Sequence, residues 1–383
     1  MISNLSTTVK NPLKELNALG QSVWLDNISR GLLNSGELKT LIEQDGLRGV
    51  TSNPTIFEKA INGSQDYDRD LKRLAEAGKT VEEICETLVV DDIQRATDLF
   101  RSVFDETEGM DGYVSLEVSP KLAHDTQATI DEAKRLWQRV NRPNVMIKVP
   151  ATPAGIPAIE HLISEGLNIN ITLMFSMEHY VRVAEAYIRG LQKRAELGRG
   201  LSVASVASFF VSRVDSLIDK QLEERLVRTS GEQEKTEIQN LFGKTAIANS
   251  KLVYEKFQEL FSGADFQRLK RQGARVQRPL WASTSTKNPK YRDVIYVEEL
   301  IGPDTVDTMP PATISAFRAH GQVRPTLVQD IQAAKNVMVK LKKLEIDMHA
   351  AAEKLQADGV KLFADSFETL MQSLAAKQKA LSG

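Results

Sequence analysis

Eight short stretches rich in apolar and β-branched residues alternate with helix-like stretches between about residues 20 and 320. The strand-like stretches are 23–26, 49–51, 113–118, 144–150, 169–173, 202–210, 279–283 and 305–309. Strands separated by helices predict parallel strand–helix–strand units, and eight such units predict a closed (β/α)8 TIM barrel. An open, doubly wound sheet is the alternative, although no G-x-G-x-x-G sequence follows the first strand to favour it.

Two sets of additional helices are expected on this barrel. A charge-rich insert of about residues 215–270 separates strands six and seven, and the chain is helical from about residue 325 to 380. Neither set contains a strand, so we predict a single barrel domain over residues 1–383. The C-terminal helices are expected to pack on the outside of the barrel. The insert is expected to present a solvated face, with a partner surface as the alternative.

Composition argues against several classes of function. The 383 residues include 49 basic and 51 acidic ones, a net charge of −2, which gives no signal for binding nucleic acid or a membrane surface. The single cysteine, Cys85, precludes an internal disulfide, and no Cys/His cluster has the spacing of a metal site. No apolar run reaches the length of a membrane span, and the first residues do not resemble a signal peptide. We expect a cytoplasmic protein, either a monomer or a homodimer.

Two charged residues interrupt otherwise apolar strands. Lys148 lies in Asn-Val-Met-Ile-Lys-Val-Pro, and Glu117 lies in Tyr-Val-Ser-Leu-Glu-Val. Side chains alternate between the two faces of a strand, so Lys148 shares a face with Met146 and not with Ile147. Burying an unpaired charge is costly, and an amine that loses hydration is easier to deprotonate, which suits a nucleophile for a carbonyl substrate. The alternative for Lys148 is an edge-strand lysine that faces water.

Polar residues also stand at the carboxyl ends of other predicted strands, where a TIM barrel places its active site. They are Asp26, Asn53, Asn170, Thr172, Ser208 and Ser283. Some have a plainer explanation, since Asp26 suits a helix N-cap, Asn53 suits a turn and the serines are small. Together, however, an amine, two carboxylates and several hydroxyl and amide groups suit Schiff-base aldol chemistry on a polyhydroxylated carbonyl compound.

The order and content of these motifs resemble those of the transaldolase family. The matching segments are Val-Trp-Leu-Asp26, Thr-Ser-Asn53-Pro-Thr, Ser-Leu-Glu117-Val, Ile-Lys148-Val-Pro-Ala-Thr, Asn168-Ile-Asn170-Ile-Thr172-Leu-Met-Phe and Ser208-Phe-Phe210-Val-Ser-Arg213. The length of the chain and its Trp-Ala-Ser-Thr-Ser-Thr-Lys-Asn-Pro segment look most like the bacterial and plant members with extra helices. The resemblance implies a transferase of the non-oxidative pentose phosphate pathway that acts on small sugar phosphates without a cofactor.

The resemblance also implies the chemical roles. Lys148 would form a Schiff base with sedoheptulose 7-phosphate or fructose 6-phosphate, and Glu117 would assist through a water that Thr172 helps to hold. Asp26 would take the proton of the C4 hydroxyl as the C3–C4 bond breaks. It would return that proton when glyceraldehyde 3-phosphate or erythrose 4-phosphate accepts the dihydroxyacetone unit. The residues implied in substrate binding are Asn53, Asn170, Ser208, Phe210, Arg213 and Ser283.

The phosphate site departs from the pattern of the best-known branch of the family. Arg213 supplies one cation, but the position of a second arginine, two residues after Ser283, is occupied here by Ser285. Lys287 lies two residues further along and is our candidate for the second cation. The alternative is that Lys287 is an ordinary exposed loop lysine.

The sequence argues against two other functions. A fructose 6-phosphate aldolase would cleave the same donor and release free dihydroxyacetone, but those relatives are shorter and differ where this chain has Glu117 and Phe210. A barrel that has lost catalysis and serves as a scaffold finds no support, because Lys148, Glu117 and Asp26 are all present.

Overall fold

In the computed structural model, which describes residues 11–381, eight parallel strands close into a barrel. The strands are β1 (Gln21–Leu25), β2 (Gly49–Val50), β3 (Tyr113–Glu117), β4 (Val145–Pro150), β5 (Ile169–Met174), β6 (Ser205–Phe210), β7 (Arg278–Ala282) and β8 (Thr305–Met309). Each strand pairs with its neighbour in sequence, and β8 pairs with β1. The predicted TIM barrel is therefore confirmed, and the open sheet is excluded.

Helices surround this barrel and connect its strands. They are α1 (Pro12–Ala18), α2 (Arg30–Asn34), α3 (Glu37–Asp45), α4 (Pro54–Asn62), α5 (Asp68–Glu76), α6 (Val81–Leu99), α7 (Arg101–Glu106), α8 (Thr126–Val140), α9 (Gly155–Glu165), α10 (Met177–Glu196), α11 (Ser212–Arg228), α12 (Glu232–Gln239), α13 (Thr245–Ser262), α14 (Ala264–Lys270), α15 (Ile295–Glu298), α16 (Pro311–His320), α17 (Ile331–Lys343) and α18 (Met348–Leu381). A 3₁₀ turn spans Pro120–Leu122. Within residues 11–381, no helix is both long and apolar enough to cross a membrane.

A polar cluster fills the barrel at the amino ends of its strands. Arg278, the first residue of β7, donates to Ser22 Oγ at 2.7 Å and to Asp111 Oδ1 at 2.9 Å. Trp24 Nε1 also donates to Asp111 Oδ1, at 3.2 Å. Because these side chains are buried and bonded to one another, they close this end of the barrel and leave the opposite end for a cavity.

The insert between β6 and β7 contributes to the hydrophobic core. Helix α13 packs against α10, α11 and α17, and its Tyr254, Phe257 and Phe261 are buried. The insert was expected to present a solvated face. This is correct for α12, in which only Ile238 is buried, but it is wrong for α13. The abundance of charged residues in this part of the sequence hides the aromatic face that α13 presents to its neighbours.

The two C-terminal helices lie in different places. Helix α17 packs against α13 on the outside of the barrel, as predicted. Helix α18 instead contacts β5 and α4, and Gln356 within it bonds to main-chain carbonyls near the ends of β4 and β5. The predicted outside position is therefore wrong for α18, because an apolar helix face indicates burial but not the surface that buries it.

A buried carboxyl on β8 supports the loop that follows β7. Thr284 Oγ1 donates to Asp307 Oδ1 at 3.0 Å and to the carbonyl oxygen of Thr308 at 3.1 Å. Asp307 Oδ2 has no hydrogen-bond partner in the described part of the chain. Burial raises the pKa of Asp307 from 3.8 to about 8, and the hydrogen bond from Thr284 only partly opposes this. Asp307 is therefore largely the neutral acid at pH 7.

This raised pKa predicts a stability that falls with pH. The folded protein holds the proton of Asp307 between about pH 4 and pH 8 while the unfolded chain releases it, so this carboxyl lowers the free energy of unfolding through that window by about 1.4 kcal/mol per pH unit. Asp307→Asn carries no charge at any pH, so its free energy of unfolding should decline less between pH 5 and pH 8, measured by urea denaturation. The control Asp304→Asn changes an exposed carboxylate and should follow the wild type. Parallel curves for wild type and Asp307→Asn would contradict the prediction.

Candidate functional site

The carboxyl ends of the strands open into a cavity of about 620 Å³. Nine of the predicted site residues line it: Asp26, Asn53, Lys148, Thr172, Ser208, Phe210, Arg213, Ser283 and Lys287. Glu117 and Asn170 lie behind this lining, beside Lys148 on the neighbouring strands. The structure thus gathers residues from seven strands or their following loops into one place, as the position of an active site in a TIM barrel predicts.

Lys148 forms a buried ion pair on β4. The register of the strands places Glu117 of β3 and Asn170 of β5 directly beside Lys148. Lys148 Nζ lies 3.0 Å from Glu117 Oε2 and donates to the carbonyl oxygen of Ser52 at 3.1 Å. The Lys148 and Glu117 side chains are only 5% and 4% exposed, so the alternative of a water-facing edge lysine is wrong.

Both carboxyls of the site hold their protons more tightly than usual. Burial raises the pKa of Glu117, and the charge of Lys148 opposes the increase. Burial likewise raises the pKa of Asp26, and a hydrogen bond of 2.7 Å from Thr51 Oγ1 opposes it, followed by the charge of Lys148. A carboxyl whose pKa is raised towards neutrality is suited to both accepting and returning a proton. Asp26 is not the N-cap of α2, because Ser29 performs that function.

A chain of hydrogen bonds orients the amide and hydroxyl groups around Lys148. Ser208 Oγ donates to Asn170 Oδ1 at 2.7 Å, and Asn170 Nδ2 donates to Ser115 Oγ at 2.9 Å. Thr172 Oγ1 is fully buried and has no hydrogen-bond partner among residues 11–381. A buried hydroxyl without a partner is costly unless a water or a ligand satisfies it.

Asn53 caps a helix and also lines the cavity. Its Oδ1 accepts the backbone N–H of Ile56 at 3.0 Å and so caps the N-terminus of α4. The residue nevertheless lines the cavity, and its Nδ2 group makes no hydrogen bond within the described residues. The helix cap therefore uses the amide oxygen of Asn53, and the Nδ2 group is available to a ligand.

Three cationic side chains border the cavity in addition to Lys148: Lys59, Arg213 and Lys287. The Arg213 guanidinium lies 5.0 Å from the ring of Phe210 and has no ion-pair or hydrogen-bond partner in the part of the chain that the structure describes. Lys287 Nζ donates to Ser285 Oγ at 2.7 Å. Burial and the nearby charge of Arg213 lower the pKa of Lys287, and Asp26 opposes this. Cations without acidic partners suit an anionic group such as a phosphate.

The end of β7 holds these cations near one another. Ser283 adopts a positive φ of 56°, and its Oγ lies 2.9 Å from Ser212 Oγ at the start of α11. The backbone N–H of Ser212 also donates to the carbonyl oxygen of Ser283 at 3.1 Å. These contacts join the helix that carries Arg213 to the loop that carries Lys287.

Among the cavity-lining residues that the sequence predictions missed are Thr51, Lys59, Thr308 and Phe363. Thr51 and Thr308 stand at the ends of β2 and β8, so the same strand-end argument identifies them once it is applied to every strand. Lys59 is one exposed lysine among many. Phe363 lies in α18, and nothing local in the sequence indicates that its ring reaches Lys148.

Comparisons with known proteins agree over nearly the whole chain. The family described as Transaldolase/Fructose-6-phosphate aldolase matches residues 23–374. A transaldolase from Trichodesmium erythraeum is 47% identical over 377 residues, which cover 98% of this chain and 99% of that protein. Transaldolase 2 from a Nostoc species is 46% identical over 376 residues, covering 97% and 99%. A transaldolase from Thiobacillus denitrificans is 46% identical over 365 residues, covering 95% and 99%.

Proposed function

The chain belongs to the transaldolase/fructose-6-phosphate aldolase family and acts as a transaldolase, and we propose that it does so through a Schiff base on Lys148. In this proposal a dihydroxyacetone unit passes from sedoheptulose 7-phosphate or fructose 6-phosphate to glyceraldehyde 3-phosphate or erythrose 4-phosphate. The observation that supports it most directly is the buried pair of Lys148 and Glu117 in a cavity bordered by cations.

Imine formation requires Lys148 as a neutral amine. Glu117 lies 3.0 Å away, and its raised pKa suits it to take the amine proton. The amine then attacks the ketone carbon of the donor, and the carbinolamine loses water when a proton returns to its hydroxyl group. Thr172, whose buried hydroxyl lacks a partner within residues 11–381, is placed to hold the water through which Glu117 delivers that proton.

Cleavage of the C3–C4 bond requires a base for the C4 hydroxyl. Asp26 lines the cavity, and the Thr51 hydrogen bond to Oδ1 fixes its carboxyl while leaving Oδ2 for the substrate. The electron pair of the broken bond moves to the iminium nitrogen and forms an enamine on Lys148. When the enamine attacks the acceptor aldehyde, Asp26 returns the proton to the new hydroxyl.

The remaining cavity residues suit a polyhydroxylated phosphate. We propose that Asn53, Asn170, Ser208 and Ser283 bind the hydroxyl groups of the donor, with Phe210 beside them. Arg213 and Lys287 bind the phosphate, and the ring of Phe210 supports the guanidinium of Arg213.

We also propose that residues 1–383 form one domain that acts in the cytoplasm on small sugar phosphates, without a nucleic-acid or membrane partner. The balanced charge of the chain and the packing of α18 on both β5 and α4 support this.

The nucleophile can be trapped. Borohydride in the presence of fructose 6-phosphate should reduce the enzyme-bound imine and leave a three-carbon unit on Lys148, located by peptide mass mapping. Lys148→Ala should lose this labelling and all turnover but keep its fold, because burial raises the pKa of Glu117 and the carboxylate can take up a proton once the charge of Lys148 is gone. Lys59→Ala, which removes another lysine of the same cavity, should still be labelled at Lys148. Labelling at any other lysine would refute the assignment.

Substitutions of Asp26 and Glu117 should impair different steps of the reaction. Losing a positioned proton-transfer group costs about 10²- to 10⁴-fold in rate. Asp26→Asn should block carbon–carbon cleavage, so borohydride should trap the uncleaved six-carbon donor on Lys148. Glu117→Gln should slow the formation of any adduct, seen in the time course of trapping. Cleavage by Asp26→Asn at the wild-type rate would contradict its role as the base.

Lys287 should contribute to phosphate binding. A hydrogen bond to a charged group is worth about 1.5–3 kcal/mol, so Lys287→Ala should raise KM for fructose 6-phosphate about 10- to 100-fold with little change in kcat. The slow reaction with unphosphorylated fructose should change little. Lys290→Ala removes an exposed lysine of the same loop and should leave both donors unaffected. An equal loss on both donors would show that Lys287 shapes the cavity without binding phosphate.

A further inference from the structure

Helix α18 crosses the mouth of the barrel above the strand that carries Lys148. Gln356 Nε2 donates to the carbonyl oxygen of Ala151, at 3.1 Å, and to that of Leu173, at 2.9 Å. Gly359 lets the helix come close to the barrel, because a Cβ at this position would lie 2.7 Å from Leu173 Cδ2. The first half of α18 is therefore seated directly on the ends of β4 and β5.

The second half of α18 is attached to the helices that follow β2. Ser366 Oγ and Thr55 Oγ1 of α4 are 2.8 Å apart. Further along, Lys377 Nζ lies 3.0 Å from the carbonyl oxygen of Ile61 and 3.0 Å from Asp68 Oδ1. Because it is attached on both sides, the segment between Gln356 and Ser366 is held across the cavity.

Phe363 lies in this segment and covers the nucleophile. Its ring centroid is 5.5 Å from Lys148 Nζ, and the residue is 2% exposed. The neighbouring Leu362 lines the same cavity but is 44% exposed, so Phe363 occupies the buried part of the cavity beside Lys148 and Leu362 its open part. The ring occupies space beside the amine and offers no strong hydrogen bond to water.

In the proposed reaction, the enamine on Lys148 has two possible fates. If its nucleophilic carbon attacks the acceptor aldehyde, a carbon–carbon bond forms and the transfer is completed. If the same carbon takes a proton from water, the resulting iminium adds a second water at its central carbon. The carbon–nitrogen bond then breaks, which restores the lysine amine and releases free dihydroxyacetone. The second fate requires further water beside the enamine, in addition to the one molecule that Thr172 is proposed to hold.

Resting on the proposed function, we propose that Phe363 determines the partition between these fates. Its ring excludes water other than the molecule held by Thr172 from the side of the enamine that it covers, so the three-carbon unit stays bound until an acceptor aldehyde arrives. The iminium form, which carries a positive charge next to the ring, is additionally stabilised by the negative face of the aromatic system. Phe363 is thus a residue that makes this enzyme a transferase and limits its activity as a simple aldolase.

Substitution of Phe363 tests this partition. The measured quantity is the rate of dihydroxyacetone release from fructose 6-phosphate alone, divided by the rate of transfer to erythrose 4-phosphate. Phe363→Ala opens space for water and should raise this ratio at least 10-fold, while Phe363→Leu, which keeps most of the apolar volume, should raise it less. Borohydride trapping on Lys148 establishes that each variant still forms the imine. If Phe363→Ala does not fold, a rise of at least threefold in Phe363→Leu supports the proposal and an unchanged ratio overturns it.

Phe367→Ala is the matched control, because Phe367 lies one turn further along α18 and lines a neighbouring cavity that Glu117 and Asn53 also border but Lys148 does not, so its removal opens space near the site without uncovering Lys148. Its ratio should equal that of the wild type. The proposal is overturned if the Phe363 variants keep the wild-type ratio, or if Phe367→Ala raises the ratio as much as Phe363→Ala does. A wild-type enzyme that transfers nothing to erythrose 4-phosphate would instead refute the proposed function, so the two failures are distinguishable.

Discussion

The buried ion pair between Lys148 and Glu117 is the interaction on which the site depends. Burying either charge alone would be costly, and each makes the other acceptable in a place of low dielectric constant. A buried ion pair adds little net stability, so its presence between two apolar strands is better explained by chemistry. Transfer of one proton from the amine to the carboxylate turns two paired charges into two neutral groups. In the proposed mechanism, the nucleophile is thereby formed without leaving a buried charge uncompensated.

A second buried pair at the other end of the barrel shows what distinguishes the first. Arg278 and Asp111 also join a cation to a carboxylate, but they are additionally bonded to Ser22 and Trp24, and neither lines the cavity of the site. An arginine keeps its proton under all ordinary conditions, so this pair serves to hold strands together. The lysine pair has fewer partners and adjoins the cavity. The Arg278–Asp111 pair is therefore structural, whereas the Lys148–Glu117 pair is suited to proton transfer.

The alternation of side chains along a strand identified the buried residues of the site, because this pattern can be read from two or three neighbouring residues. Alternation placed Lys148, Glu117 and Asn170 at positions that lie side by side in the barrel. Asp26 was identified by its position at the end of a strand. The position of α18 could not be predicted in this way. The apolar face of α18 is visible in the sequence. Its position in the fold, however, depends on hydrogen bonds from Gln356 to two main-chain carbonyl groups that are distant in sequence. Contacts of that kind follow from the closed fold and leave no local pattern.

Burial changes along the cavity in a way that suits a reaction with two exchanging phosphates. Lys148 and Phe363 are almost fully buried, Arg213 is half-buried, and Lys287 and Lys59 are exposed. A phosphate bound near the exposed cations keeps part of its hydration, so its desolvation cost stays small and the departing aldose phosphate can leave. In the proposed mechanism the reacting carbons lie at the buried end, where Phe363 limits the water that could release the three-carbon unit. The gradient would then let one phosphate replace another at the mouth while that unit stays covered on Lys148.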